Sequence, residues 1–137
     1  MNQHVHSIHH VSMKCGEPEL FEKAVAFYTG VLGFSVVRRW ADGIFLQSGT
    51  ACIEIFTNAS GIRELGAIRH FALATDRVDE LAASIEEAGY EVFIKPKDIV
   101  IPSEPALHAR MAFFYGPLGE QVELFKELED AQATGQN

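Results

Sequence analysis

The two halves of this sequence contain the same order of predicted strands and helices, and this repeat restricts the fold more than any other feature. The first half predicts a strand, an amphipathic helix and three further strands, at 6–14, 17–33, 34–40, 44–47 and 51–57. The second half predicts the same elements in the same order, at 68–75, 76–89, 90–95, 109–115 and 120–126. The pattern is βαβββ twice, which indicates a duplicated module.

The duplication predicts an α+β fold. The modules span 6–57 and 68–127, a linker joins them at 58–67, and a polar tail occupies 128–137. A length of 137 residues, 47% of them hydrophobic, is typical of one globular domain. We expect the two modules to form a half-open, curved mixed sheet whose helices cover one face only.

Polar residues recur at equivalent positions of the two halves. When one half is laid on the other, HHVSMK falls on RHFALA and IEIF falls on VELF. His10 then pairs with His70, and Glu54 pairs with Glu123. A glutamate in the middle of an aliphatic strand lowers strand propensity, and a single one is usually a cross-strand ion pair. A single half-buried histidine is likewise more often a hydrogen-bonded core residue than a ligand.

Side-chain alternation predicts where these four residues point. His10 shares a face with Ser12 and Lys14, whereas Glu54 opposes the apolar Ile53 and Ile55. The second half has the same alternation, so all four polar residues belong to the face that the helices leave open. Two imidazoles and two carboxylates on one face are typical ligands of a divalent metal ion.

Such a ligand set has a chemical logic. Two neutral histidines and two anionic glutamates balance the charge of a divalent cation, which gives the buried carboxylates the partner that burial requires. An octahedral ion would keep two positions for water. A substrate with oxygens on adjacent carbons could displace both waters, and the negative charge of an enediolate would then be stabilised.

Five short motifs of this chain resemble, in order, the signatures of the vicinal oxygen chelate superfamily, which includes glyoxalases, bleomycin resistance proteins and extradiol dioxygenases. They are HHVSMKC, FYTGVLGF, IEIF, RHFALAT and GPLGEQVELF. The resemblance extends to about residue 127, is greatest to glyoxalase I (lactoylglutathione lyase), and implies a single domain of this class over 1–137 with the glyoxalase-like fold.

The resemblance also implies the functional residues. The metal ligands would be His10, Glu54, His70 and Glu123, around one divalent ion of nickel, cobalt, zinc or manganese. Glu123 would also leave the metal and transfer the substrate proton, and Glu54 would serve the opposite face of the substrate. The implied activity is that of a metal-dependent lyase or isomerase that abstracts a proton next to a carbonyl.

Three further residues are candidates for binding the substrate. Asn58 matches an asparagine that helps to hold glutathione in the glyoxalase I group, and Lys14 stands where that group has an arginine. Arg110 shares a strand face with His108, and it could bind a substrate carboxylate or phosphate if that face carries the metal ligands; the alternative is a surface arginine paired with an acid. The preceding stretch, 96–110, contains three prolines and is expected to be a loop that forms a pocket wall or lid.

Other functions of the same fold remain open. An epimerase of the methylmalonyl-coenzyme A type commonly has glutamine at the position of Glu54, which counts against it. A binding protein of the bleomycin resistance type uses the fold without metal, and the presence of all four ligands counts against it. A ring-cleaving iron dioxygenase is a weaker alternative, because those sites use three protein ligands.

Composition and termini favour a small-molecule partner. Eleven Lys and Arg against 19 Asp and Glu give a net charge of −8, which disfavours nucleic acid and anionic membrane surfaces. Cys15 and Cys52 have no metal or redox spacing, and the N-terminus lacks the features of a signal peptide, so we expect a reduced, cytoplasmic protein. The resemblance implies a homodimer. His9 is expected in an exposed segment, facing away from His10 by alternation.

Overall fold

The computed structural model describes residues 8–59 and 68–129. The chain divides into two compact units, Met1–Glu64 and Leu65–Asn137. Each unit contains one four-stranded mixed sheet, as the sequence predicted for each module. The parts of the predicted linker and tail at 60–67 and 130–137, and the first residues of the predicted strand 6–14, lie outside the described residues.

The first unit contains one βαβββ module. Its helix has Pro18 in the first turn, where the missing N–H group costs nothing, and continues as a π-helical segment, Phe27–Val31. The strand order is β1-β4-β3-β2, in which only the β1–β4 pair is parallel. The elements are β1 His10–Lys14, α1 Pro18–Ala26, β2 Ser35–Trp40, β3 Gly43–Ser48 and β4 Ala51–Phe56.

The second unit repeats this topology. Its strand order is β5-β8-β7-β6, and β5 pairs with β8 in parallel. Gly89, just after the helix, has a φ of 95°, and Gly33, at the equivalent place in the first unit, has a φ of 78°. Both glycines therefore end their helical segments in the left-handed region. The elements are β5 Phe71–Ala74, α2 Val78–Glu87, β6 Val92–Ile101, β7 Leu107–Tyr115 and β8 Gln121–Glu127.

Each sheet buries one face under its helix. In the first unit, Arg39 of β2 hydrogen-bonds Glu22 of α1 across the face that carries the fully buried Ile44. In the second unit, the residues of α2 and the sheet that are fully or almost fully buried include Ile85, Ala112, Phe114, Val122 and Leu124. The apolar faces predicted from alternation are confirmed. None of the described helices is long and apolar enough to cross a membrane.

The stretch 96–110 is mostly strand, so the predicted long loop is wrong. β6 continues to Ile101 and β7 begins at Leu107, which leaves a connection of 102–106. Pro96 is tolerated in β6 for two reasons: β6 is the edge strand of its sheet, and its register shifts between Ile94 and Lys97. A proline at an edge bulge removes no required ladder hydrogen bond.

Arg110 lies on the helix-bearing face of the second sheet. Its guanidinium binds both carboxylate oxygens of Asp79 in α2, at 2.9 and 3.0 Å, and one oxygen of Asp98 in β6, at 3.0 Å. The hydrogen bonds that Arg110 donates, first to Asp79 and then to Asp98, raise the pKa of its guanidinium. The face that carries Arg110 is therefore not the face of Glu123, and the condition under which Arg110 would bind substrate is not met.

This network predicts a structural role for Arg110. Its side chain is 31% exposed and bridges a helix to a strand, so after allowance for solvent screening we expect Arg110→Gln to lower the free energy of unfolding by about 1 kcal/mol. Arg77→Gln is the matched control, since the side chain of Arg77 forms an ion pair with Glu80 in which the two members are 75% and 66% exposed. Urea denaturation followed by circular dichroism measures both. An equal decrease in the free energy of unfolding of the two variants would contradict the structural role of Arg110.

Candidate metal centre

The first module brings His10 and Glu54 together on its open face. His10 is the first residue of β1, and Glu54 lies in the middle of β4. Parallel pairing places Ser12 opposite Glu54. His10 lies two residues before Ser12 in β1 and therefore on the same face of the sheet. The distance from His10 Nε2 to Glu54 Oε1 is 3.5 Å. The first and last strands of the module thus supply one imidazole and one carboxylate.

The second module forms the same pair from equivalent residues. His70 directly precedes β5, Glu123 lies in β8, and Ala72 pairs with Glu123 as Ser12 pairs with Glu54. The distance from His70 Nε2 to Glu123 Oε1 is 3.3 Å. The two pairs follow the same register, so the repeat of the sequence is also a repeat of side-chain geometry.

Both pairs are buried at the carboxylate and open at the imidazole. Among the residues that the structure describes, Glu54 and Glu123 are the only buried polar or charged ones. Burial raises the pKa of the Glu123 carboxyl, and the neighbouring His70 partly offsets this by attraction and hydrogen bonding. A buried carboxylate needs a cationic or hydrogen-bonding partner, and one imidazole supplies only part of it.

The donor chemistry fits half of a metal site in each module. Two ligand atoms about 2.1 Å from one ion would lie about 3.0 Å apart at the right angle of an octahedral site and about 3.4 Å apart at a tetrahedral angle, and the separations of 3.5 and 3.3 Å are close to this range. Across 8–59 and 68–129, however, no three His, Cys, Asp or Glu side chains gather into a cluster that could hold an ion. Each module therefore presents two donors, and binding of a metal by His10, Glu54, His70 and Glu123 stays a prediction.

An aromatic ring that the sequence analysis missed contacts each histidine. Phe45 pairs with Glu54 and lies 5.3 Å from the His10 ring, while Phe113 pairs with Glu123 and lies 4.9 Å from the His70 ring. Both contacts are edge-to-face, with interplanar angles of 76° and 83°. The available signal was the repeat itself, because both phenylalanines occupy the strand next to the glutamate in the same register.

The other predicted residues have different placements. Lys14 is exposed on the face of Glu54, with its ammonium 5.4 Å from the centre of the Phe56 ring. Asn58 is exposed just after β4. His108 lies on the same face of β7 as Arg110, away from Glu123, because side chains alternate along this regularly paired strand. The roles of Lys14 and Asn58 in binding substrate stay predictions.

His9 contacts His10, so the prediction that it faces away is wrong. The two Nδ1 atoms are 3.0 Å apart, and the His9 ring also lies 6.2 Å from Phe45. The reason is that β1 begins only at His10, and the alternation of a strand does not extend to the residue before it. Cys15 and Cys52 are both free, and burial raises the pKa of the Cys15 thiol.

Two βαβββ modules, each with a histidine and a glutamate paired on the helix-free face, define a protein of the vicinal oxygen chelate class. The sequence agrees with this assignment. The chain belongs to the Glyoxalase/Bleomycin resistance protein/Dioxygenase superfamily, whose family model matches residues 7–124.

The chain is also similar to individual proteins, one in sequence and two in structure. The chain is 28% identical to the uncharacterized protein YwkD of Bacillus subtilis, in an alignment that covers 88% of this chain and 97% of the relative. A glyoxalase/bleomycin resistance protein/dioxygenase from Alicyclobacillus acidocaldarius has a similar structure, with a TM-score of 0.67, 18% identity, and coverage of 92% of this chain and 95% of that one. A glyoxalase/bleomycin resistance protein/dioxygenase from Nocardioides is also similar in structure. Its TM-score is 0.65 and its sequence identity is 20%, with coverage of 96% of this chain and 89% of that one.

Proposed function

We propose that the protein is a metal-dependent lyase or isomerase of the glyoxalase I type, which abstracts a proton next to a carbonyl. Conversion of a hemithioacetal to a hydroxyacyl thioester is the model reaction. The observation that carries the proposal is a buried carboxylate beside an imidazole at the equivalent place in both modules. An acid at one such place could be structural, whereas the same buried pair built twice favours a common ligand.

The ligands would be His10, Glu54, His70 and Glu123, which together offer two neutral nitrogen donors and two carboxylates. This set suits one divalent ion of nickel, cobalt, zinc or manganese. When bound, the ion would stabilise negative charge that develops on the substrate oxygens. The imidazoles, through their edge contacts with Phe45 and Phe113, are held in place beside the carboxylates.

Glu123 is the proposed base. A general base works best when its pKa lies near the operating pH, and burial raises the pKa of Glu123 from its ordinary value. His70 lies 3.3 Å from its carboxylate and can hold it in position before the proton moves. Glu54, the equivalent residue of the first module, would take or return a proton on the opposite face of the substrate.

The first prediction of this function concerns metal content. We expect purified protein to hold about one divalent ion per chain, because two imidazoles and two carboxylates make one four-ligand set. His10→Ala and Glu123→Ala should each lose most of that metal. His108→Ala is the control, since His108 lies on the helix-bearing face of its sheet. Metal analysis of variants that remain folded by circular dichroism is the measurement, and wild-type metal load in both ligand variants would overturn the assignment.

The second prediction concerns proton transfer. Glu123→Gln keeps an oxygen ligand and removes the base, so turnover should fall about 10²-fold or more while the metal stays bound. Glu127→Gln, a change in the exposed end of the same strand, should leave the rate unchanged. Deuterium exchange at the substrate carbon, in a panel of hemithioacetals, acyl thioesters and keto acids, reads the step directly. Wild-type exchange in Glu123→Gln would exclude Glu123, and no exchange with any substrate in the wild type would favour a binding protein of the bleomycin resistance type.

We also propose that the protein is a cytoplasmic homodimer. Each sheet has its helix on one face, and the open face of a βαβββ module needs a second module to cover it. The second module can belong to the same chain or to the partner, and both arrangements supply two imidazoles and two carboxylates. Light scattering at micromolar concentration measures the mass, and a monomer there would contradict the dimer without affecting the four ligands.

A further inference from the structure

A continuous row of rings extends from His10 along the open face of the first sheet. The His10 ring contacts Phe45 at 5.3 Å, Phe45 contacts Trp40 at 5.5 Å, and Trp40 contacts Phe56 at 5.8 Å. The ammonium of Lys14 lies over the far end of the row, 5.4 Å from the centre of the Phe56 ring. We call Phe45, Trp40 and Phe56 the aromatic strip.

The backbone is shaped to hold the strip. Gly43 pairs with Trp40 on one side and with Phe56 on the other. A Cβ atom at Gly43 would lie 2.6 Å from the indole ring of Trp40 and 3.0 Å from the backbone oxygen of Ile55. Any larger residue would therefore push the indole off the sheet. The absence of a side chain at this position lets the indole lie close to Gly43, tilted by 54° against Phe45 and by 75° against Phe56.

The strip differs from the other aromatic residues of the unit in its burial. Phe21, Phe27, Tyr28 and Phe34 are all buried, with at most 8% of their surface exposed, in the core associated with the helix. The three strip residues are only half-buried. Half-exposed rings next to a pair of metal-ligand type residues form a surface that can take up an apolar, planar group.

The ends of the strip define the group that fits. His10 and Glu54 mark one end, where chelating oxygens would bind, and Lys14 marks the other with a positive charge. Lys14 lies four residue steps after His10 in β1, which corresponds to about 13 Å along a parallel strand. The rings of Phe45, Trp40 and Phe56 lie on the same face as this span, and Ser12 is the one side chain of β1 that shares this face between the two ends.

We infer that the aromatic strip binds an aryl group on a substrate whose oxygens, on adjacent carbons, bind at the His10–Glu54 pair. The inference rests on the proposed function and specifies its substrate class. The substrate is an aryl-substituted α-hydroxycarbonyl compound, and Lys14 favours an anionic group on the far side of its ring. Recognition comes from stacking and edge-to-face contacts with Trp40 and Phe45.

Two small acids test this inference with nickel-loaded protein. Mandelate and lactate both have a hydroxyl and a carboxylate on adjacent carbons, and they differ only by phenyl against methyl. We expect mandelate to bind about tenfold more tightly, the size of effect that ring burial and aromatic contacts provide. Calorimetry gives both affinities. Trp40 is the only tryptophan of the chain, so its fluorescence should also change with mandelate and not with lactate.

Matched variants locate the effect. Trp40→Leu keeps an apolar side chain and removes the ring, so it should abolish the preference for mandelate while lactate affinity and metal content stay unchanged. Phe93→Leu is the control, because Phe93 belongs to the second module, where it stacks on Tyr115 at 4.2 Å. The preference should survive that change. Its loss in Phe93→Leu and persistence in Trp40→Leu would overturn the placement on the first module.

The binding measurements distinguish an error in the proposed substrate class from an error in the proposed function. Equal affinity for mandelate and lactate, both dependent on nickel, would overturn the aromatic strip and leave the chelating site in place. Lack of nickel-dependent binding of either acid would overturn the proposed function, and the substrate class with it.

Discussion

Parallel pairing between the first and last strands of each module is the interaction on which the site depends. His10 and Glu54 are far apart in the chain, as are His70 and Glu123, and only the β1–β4 and β5–β8 ladders bring each pair within 3.5 Å. A parallel pair needs a crossover connection between its strands. Here the helix and the two intervening strands supply it, so the rest of each module is the connection that places an imidazole beside a carboxylate.

The same strand pairing explains why a glutamate, which is unfavourable in the middle of an aliphatic strand, occurs in both β4 and β8. Each is flanked by buried aliphatic residues, Ile53 and Ile55 or Val122 and Leu124, which fix the strand under its helix. The alternation that buries the aliphatic side chains places the glutamate on the open face, where Glu54 pairs with Phe45 and Glu123 pairs with Phe113. A raised pKa at Glu123 is the physical record of that desolvation, and a cation is the partner that would offset it.

The sequence predicted the features that follow from local periodicity. The repeat, the faces of Ile53, Ile55 and their counterparts, and the register of the histidines and glutamates all depend on a period of two residues, which can be counted. Features that depend on neighbours in space were missed. Pro96 was expected to end a strand, but an edge position and a bulge accommodate it, and Arg110 is held by Asp79 from a helix 31 residues away in the chain. His9 contacts His10 because β1 begins only at His10, and the alternation of a strand does not apply to the residue before it.

The two modules agree in their histidine–glutamate pairs and differ in the residues around those pairs. Lys14 pairs with Phe56 where the second module pairs Ala74 with Phe125, so the cation at the end of the strand occurs only once. The ring behind Phe45 is Trp40, held over Gly43, whereas the ring behind Phe113 is Phe93, which stacks on Tyr115. A metal ion would need only nitrogen and oxygen donors, and the histidine and glutamate that offer them are the same in both modules. A substrate with two different ends would need different side chains around each end. Two identical sets of side chains would bind either end equally well, so they could not orient the carbon that loses its proton toward one carboxylate.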